Sequence, residues 1–111
     1  MGGLTRAQLA RAVEAMEANL AGPLSLPEIA AAAGLSPAHF ARRFKASLGV
    51  APHRHLLRLR LERAKRLLRE TDRSVAQIAF ECGFSHQEHM TRFFGRLAGT
   101  TPAAYRRAVR G

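Results

Sequence analysis

Residues 24–56 read LSLPEIAAAAGLSPAHFARRFKASLGVAPHRHL, and residues 74–107 read SVAQIAFECGFSHQEHMTRFFGRLAGTTPAAYRR. Laid over each other, they are two versions of one pattern. Ser25/Ser74, Ile29/Ile78, Ala30/Ala79, Gly34/Gly83 and Ser36/Ser85 match at an offset of 49. From His39/His89 the offset becomes 50, and Arg42/Arg92, Phe44/Phe94, Gly49/Gly99 and Pro52/Pro102 then agree. The second copy therefore carries one extra residue near its turn. Two copies at so long a period make a duplicated supersecondary unit, not a solenoid.

Each copy has the physics of a helix-turn-helix. A short helix presents an apolar residue followed by a small one, Ile29-Ala30 or Ile78-Ala79, so that a second helix can cross closely over it. Four residues later Gly34 or Gly83 supplies the positive φ of a tight turn. Then come an apolar plug, Leu35 or Phe84, a serine cap, and a second helix. The apolar spacing of that helix predicts that Phe40, Phe44 and Leu48 are buried in the first copy and Met90, Phe94 and Leu97 in the second. The opposite face is left for a partner. One Ile-Ala-x-x-x-Gly is a weak signal, but two in register with matching caps are a strong one.

Working outward, strand signals are almost absent, and Ala, Leu and Arg favour helix. The fold class read here is all-α, seven helices, with two helix-turn-helix subdomains joined by a long linker helix. Thr5 with Gln8, Ser25 with Glu28, Ser74 with Gln77 and Ser85 with Glu88 have capping-box spacing. Ser36-Pro37 and Thr101-Pro102 start helices, and Gly22, Gly34, Gly49, Gly83 and Gly99 stop them. These signals predict helices at about 5–20, 26–33, 37–48, 52–70, 75–82, 86–98 and 102–108. One domain, 1–111, would comprise a first unit (5–55), a linker helix (52–70) and a second unit (74–108). In the linker helix Leu57, Leu61, Ala64 and Leu68 form an apolar stripe. Arg58, Glu62, Lys65 and Arg69 form a charged one, with Glu62 expected to pair with Arg58 or Arg66.

Lys and Arg number 18 against 8 acids. Residues 1–35 carry two basic and three acidic side chains, and residues 36–111 sixteen and five. Such a field attracts phosphate polyanions or acidic membranes. Most of the cations are Arg, whose fork suits phosphates and guanine edges, which favours nucleic acid. A single cysteine, Cys82, excludes an intrachain disulfide, and no apolar run approaches a membrane span. The start MGGLTRAQ lacks the apolar core of a secretion signal. A soluble, cytoplasmic protein without a membrane role is expected. There is no Gly-rich phosphate loop, paired-carboxylate site or nucleophile constellation, so an enzyme is not expected. Cys82, His86 and His89 lack a fourth ligand at metal spacing, and Cys82 reads as a small core residue. No metal or cofactor is predicted. His53 and His55, two apart on a helix, read as surface or phosphate-neighbouring residues.

These segments, with the linker RLRLERAKRLL (Arg58 to Leu68), resemble the C-terminal DNA-binding domain of the AraC/XylS family of bacterial transcription regulators. The second segment carries most of the likeness, through Ile-Ala, Gly-Phe-Ser, Arg-x-Phe and Gly-x-Thr-Pro-x-x-Tyr-Arg. The resemblance implies recognition helices in successive major grooves of double-stranded DNA. Its base-facing residues would be Ala38, His39, Ala41 and Arg42 in the first, and Gln87, Glu88, Thr91 and Arg92 in the second. Ser36, Arg43, Lys45, Ser85, His89, Arg96, Thr101 and Arg106 are expected at phosphates. Ala38 and Ala41 can touch only thymine methyls, leaving Arg42 as the main hydrogen-bonding reader of the first unit. Glu88 can serve its capping box or a cytosine. Met90 stands where the family usually has an aromatic or leucine, and Gly95 where a lysine or arginine is common. That would leave the second helix one phosphate contact poorer.

Recognition helices on one face of B-DNA sit about 34 Å apart, and a nineteen-residue linker spans about 28 Å. Unlike copies in one chain then imply an asymmetric site read by a monomeric domain. The linker's charged stripe is a solvated face by default, and a contact to DNA backbone or RNA polymerase otherwise. A non-specific DNA- or RNA-binding protein is the nearest rival, and the duplicated turn argues against it. The chain reads as a stand-alone regulator or as the C-terminal part of a longer one.

Overall fold

The computed structural model describes residues 2–111. Among these residues it contains seven helices and no strand, so the chain is all-α. The helices are α1 (Arg6–Ala18), α2 (Leu26–Ala32), α3 (Pro37–Leu48), α4 (Pro52–Glu70), α5 (Val75–Glu81), α6 (Gln87–Ala98) and α7 (Pro102–Arg110). The chain divides within α4 into two compact units, one ending at Arg58 and the other Leu59–Gly111.

In the first unit α1 packs on α2 and α2 on α3. Ala12, Met16, Ile29, Ala30, Phe40 and Phe44 are buried between them. Thr5 starts α1 with a complete capping box: the Gln8 amide N donates to Thr5 Oγ1 at 3.1 Å, and the Thr5 amide N to Gln8 Oε1 at 3.0 Å. Ser25 precedes α2 without capping its backbone. Its hydroxyl donates instead to Glu28 Oε1 at 3.0 Å.

In the second unit α5 packs on α6, burying Ile78, Ala79, Met90, Phe93 and Phe94. Cys82, at the end of α5, is part of this core, and burial pushes its thiol pKa up to about 11, which keeps it protonated and unreactive. Gln77 and Ala104 donate their amides to the cap hydroxyls of Ser74 and Thr101, each at 3.1 Å.

Both turns are built alike. After α2 the amide of Gly34 donates to Ala31 O and that of Leu35 to Ala30 O. After α5 the amide of Gly83 donates to Phe80 O and that of Phe84 to Ala79 O. This pair of bonds satisfies the last carbonyls of the short helix and requires a left-handed residue between them. Gly34 has φ 75° and Gly83 φ 86°.

The linker stripe is buried as its period predicts, with Leu61, Ala64 and Leu68 at most 1% exposed. Several expectations need correction. Leu48 and Leu97, in the last turns of α3 and α6, are 37% and 38% exposed, since an apolar period sets the direction of a side chain but not whether anything covers it. Phe93, not expected in the core, is buried. Glu62 pairs with Lys65 at 3.4 Å, the i,i+3 neighbour, not with Arg58 or Arg66. His55 is half-buried with its ring edge-on to Phe44, centroids 5.5 Å apart, while His53 is exposed. The two histidines do occupy different faces, and one of them is inward.

Candidate nucleic-acid interface

Residues two apart on an α-helix point to opposite sides, because each step turns about 100°. Arg42 lies between the buried Phe40 and Phe44, and Arg92 between the buried Met90 and Phe94. Each arginine therefore projects directly away from its unit's core. Both are exposed, as are Ala38 and His39 on α3 and Gln87 and Glu88 on α6.

Ala41 and Thr91, which correspond at the offset of 50, are half-buried at the flank of this face. Ala41 also lines an apolar cavity of about 220 Å³ with Leu24, Ile29 and Leu56. The residue one turn beyond Arg42 on the same face is the exposed Ala46, a position marked by its i+4 spacing alone. Gly95 is exposed on α6, and a Cβ there would meet nothing within 4 Å.

Of the residues expected at phosphates, Ser36, Arg43, Lys45, Ser85, Arg96 and Thr101 are exposed. His89 is half-buried, its ring edge-on to Phe84 at 5.4 Å. Arg106 is half-buried as well. Its Nε donates to Leu68 O and its Nη2 to Thr71 O, both at 3.1 Å, so these donors already have partners inside the second unit.

The starts of α3 and α6 differ. Ser36 is the N-cap of α3, accepting the His39 amide at 3.4 Å and lying 3.0 Å from His39 Nδ1. In the second copy the extra residue is His86, which takes the N-cap position without a side-chain cap bond. Ser85 is thereby moved one residue upstream, and its expected capping box with Glu88 does not form. Glu88 is left exposed in the first turn of α6, where its charge complements the helix N-terminus.

Among the described residues no group of three His, Cys, Asp or Glu side chains gathers to hold a metal ion, and no helix is long and apolar enough to cross a membrane.

Two units, each turning through a left-handed glycine into a helix that presents an arginine opposite a buried apolar pair, define a helix-turn-helix DNA-binding domain. Comparison with known proteins agrees. A family model described as a helix-turn-helix domain matches residues 29–108. A transcriptional regulator from Chromobacterium violaceum, described as containing an AraC-type DNA-binding domain, is 40% identical, with a TM-score of 0.86 over 90% of this chain and 89% of that one. The DNA-binding domain of AdpA, solved in complex with a target DNA, is 35% identical, with a TM-score of 0.86 over 96% of this chain and 95% of that one. The regulator ArgR of Pseudomonas aeruginosa is 38% identical over 98% of this chain and 33% of its own length. The activator RhaS of Escherichia fergusonii is 38% identical over 92% of this chain and 37% of its own length. The chain belongs to the AraC-type helix-turn-helix family of transcription regulators. It spans about a third of the length of these two full-length relatives.

Proposed function

We propose that the chain binds one asymmetric DNA site as a monomer, with α3 and α6 entering successive major grooves, and that it regulates transcription from there. The observation that carries this reading is the pairing of Arg42 and Arg92, each exposed opposite the buried pair of its helix at matching positions of the two copies. Arg42 and Arg92 fork onto guanine O6 and N7, and Gln87 bonds adenine. Ala38 meets a thymine methyl, while His39, Glu88, Ala41 and Thr91 complete the base-facing set at the flanks. Ser36, Arg43, Lys45, Ser85, His89, Arg96 and Thr101 hold phosphates, together with amides at the helix starts.

The name of the RhaS relative, an activator, supports activation and with it a contact to RNA polymerase, for which the exposed Arg58, Glu62 and Arg66 of α4 are available. Action in the cytoplasm follows from the same reading.

Selection of bound sequences from a random duplex pool tests the proposal, and it should return a non-palindromic site about two helical turns long. On that site Arg42→Ala and Arg92→Ala should each weaken binding roughly 5- to 150-fold and relax base preference only in their own half. Equal losses on matched and scrambled duplexes would reduce both arginines to phosphate contacts. A palindromic selected site would overturn the monomeric reading.

A further inference from the structure

The C-terminal end of α4 leaves carbonyls without intrahelical partners, and it carries the negative end of the helix dipole. Side chains from α7, 35 to 39 residues on, converge there. Arg106 spans Leu68 O and Thr71 O with Nε and Nη2 at 3.1 Å each. Arg110 reaches Thr71 O and Asp72 Oδ1, both at 2.8 Å. Tyr105 accepts a hydrogen bond from Arg69 Nη1 at 3.0 Å, and its ring stands edge-on to Phe94 of α6, centroids 5.4 Å apart. Phe94 is fully buried on the face of α6 opposite Arg92.

We propose that Arg106 is a positioning residue for recognition by α6: it locks α7 onto the end of α4, and α7 sets the direction of α6 through Tyr105 and Phe94. This rests on the reading of α6 as a recognition helix. Arg106 is singled out over Arg110 because its bonds are part-buried, whereas Arg110 and its partner Asp72 are exposed and their ion pair contributes little. The planar guanidinium sets two donors at a fixed spacing against the two carbonyls, a geometry that the single nitrogen of a lysine ammonium on its flexible stem does not reproduce. Arg106 therefore acts on DNA binding without touching a phosphate.

The test compares Arg106→Lys and Arg106→Gln with the unaltered chain on the duplex selected above, measuring affinity against salt concentration and base preference in each half. Both variants should lose affinity roughly tenfold, the scale of one lost base contact. The salt slope should stay unchanged, and base preference should relax only in the half read by α6. A slope shallower by about 0.9 in the Gln variant but not in the Lys variant would make Arg106 a phosphate contact and overturn the proposal. Lower thermal stability with base preference intact in both halves would overturn it too, leaving a purely structural role. If both variants melt below the assay temperature, Tyr105→Leu must relax the same half, and an unaltered preference there counts against the proposal. Failure of the unaltered chain to select any sequence would sink the recognition reading itself, which these variant outcomes leave standing.

Discussion

The two helix-turn-helix units share a turn and differ in how the second helix begins and what it carries. In both, a left-handed glycine and the same two backbone bonds join the short helix to its partner. At the next step they part. α3 is capped by Ser36, whereas α6 starts at the inserted His86 with no side-chain cap. Along the outer face Lys45 of the first unit corresponds to Gly95 of the second, and Ala46 to Arg96. Arg43 is exposed where its counterpart Phe93 is buried. The two copies thus share the residues that make the crossing possible and one outward arginine each, Arg42 and Arg92, and differ at most of the other outward positions. The Ile-Ala pair and the turn glycine are held by sterics inside the fold, whereas the outward arginine has no packing reason to be kept.

The turns should respond alike. Gly34→Ala and Gly83→Ala each force a Cβ into left-handed backbone, costing about 1–2 kcal/mol. No atom lies within 4 Å of a Cβ at Gly34, so its cost is backbone strain alone. Thermal melts of the two variants should fall by similar amounts. A neutral result at either position would end the claim that the turns are equivalent.

A smaller effect should separate the helix starts. Ser36→Ala removes a working cap and should cost about 1 kcal/mol, while Ser85→Ala, away from the cap position, should stay within about 0.5 kcal/mol. Denaturant midpoints at constant slope would measure the difference, and equal losses would mean that Ser85 supports α6 in another way.

The smallest contrast is in pH dependence, and it belongs to the first unit. Burial lowers the pKa of His55 below 6.5, helped by Arg58 and opposed by Glu17. The unfolded chain then binds the proton more readily than the folded one. Stability contributed by neutral His55 is present above pH 6.5 and declines as pH falls through 6.5 towards the lower folded pKa. His55→Gln should flatten that decline in melting temperature, and an unchanged pH profile would show that His55 is not its source.

Much of this molecule is legible in its sequence. The seven helices, their starts at Ser36-Pro37 and Thr101-Pro102, the inward faces of Phe40, Phe44, Met90 and Phe94, and the outward faces of Arg42 and Arg92 all follow from interactions that reach no further than a helical turn. Caps, turn glycines and a period of about 3.6 residues are local, and a linear sequence displays them directly.

Tertiary structure alone decided the rest. Arg106 looked like one more cation for a phosphate, and only the fold brings it to carbonyls at Leu68 and Thr71. The inserted residue near the second turn was visible, but not that His86 would take the cap from Ser85. Leu48 and Leu97 keep the apolar period yet end up half outside, since a period specifies a direction and not whether anything covers it. The direction a side chain takes is set by its own helix, whereas its partner comes from residues dozens of positions away, chosen by packing that no short window contains.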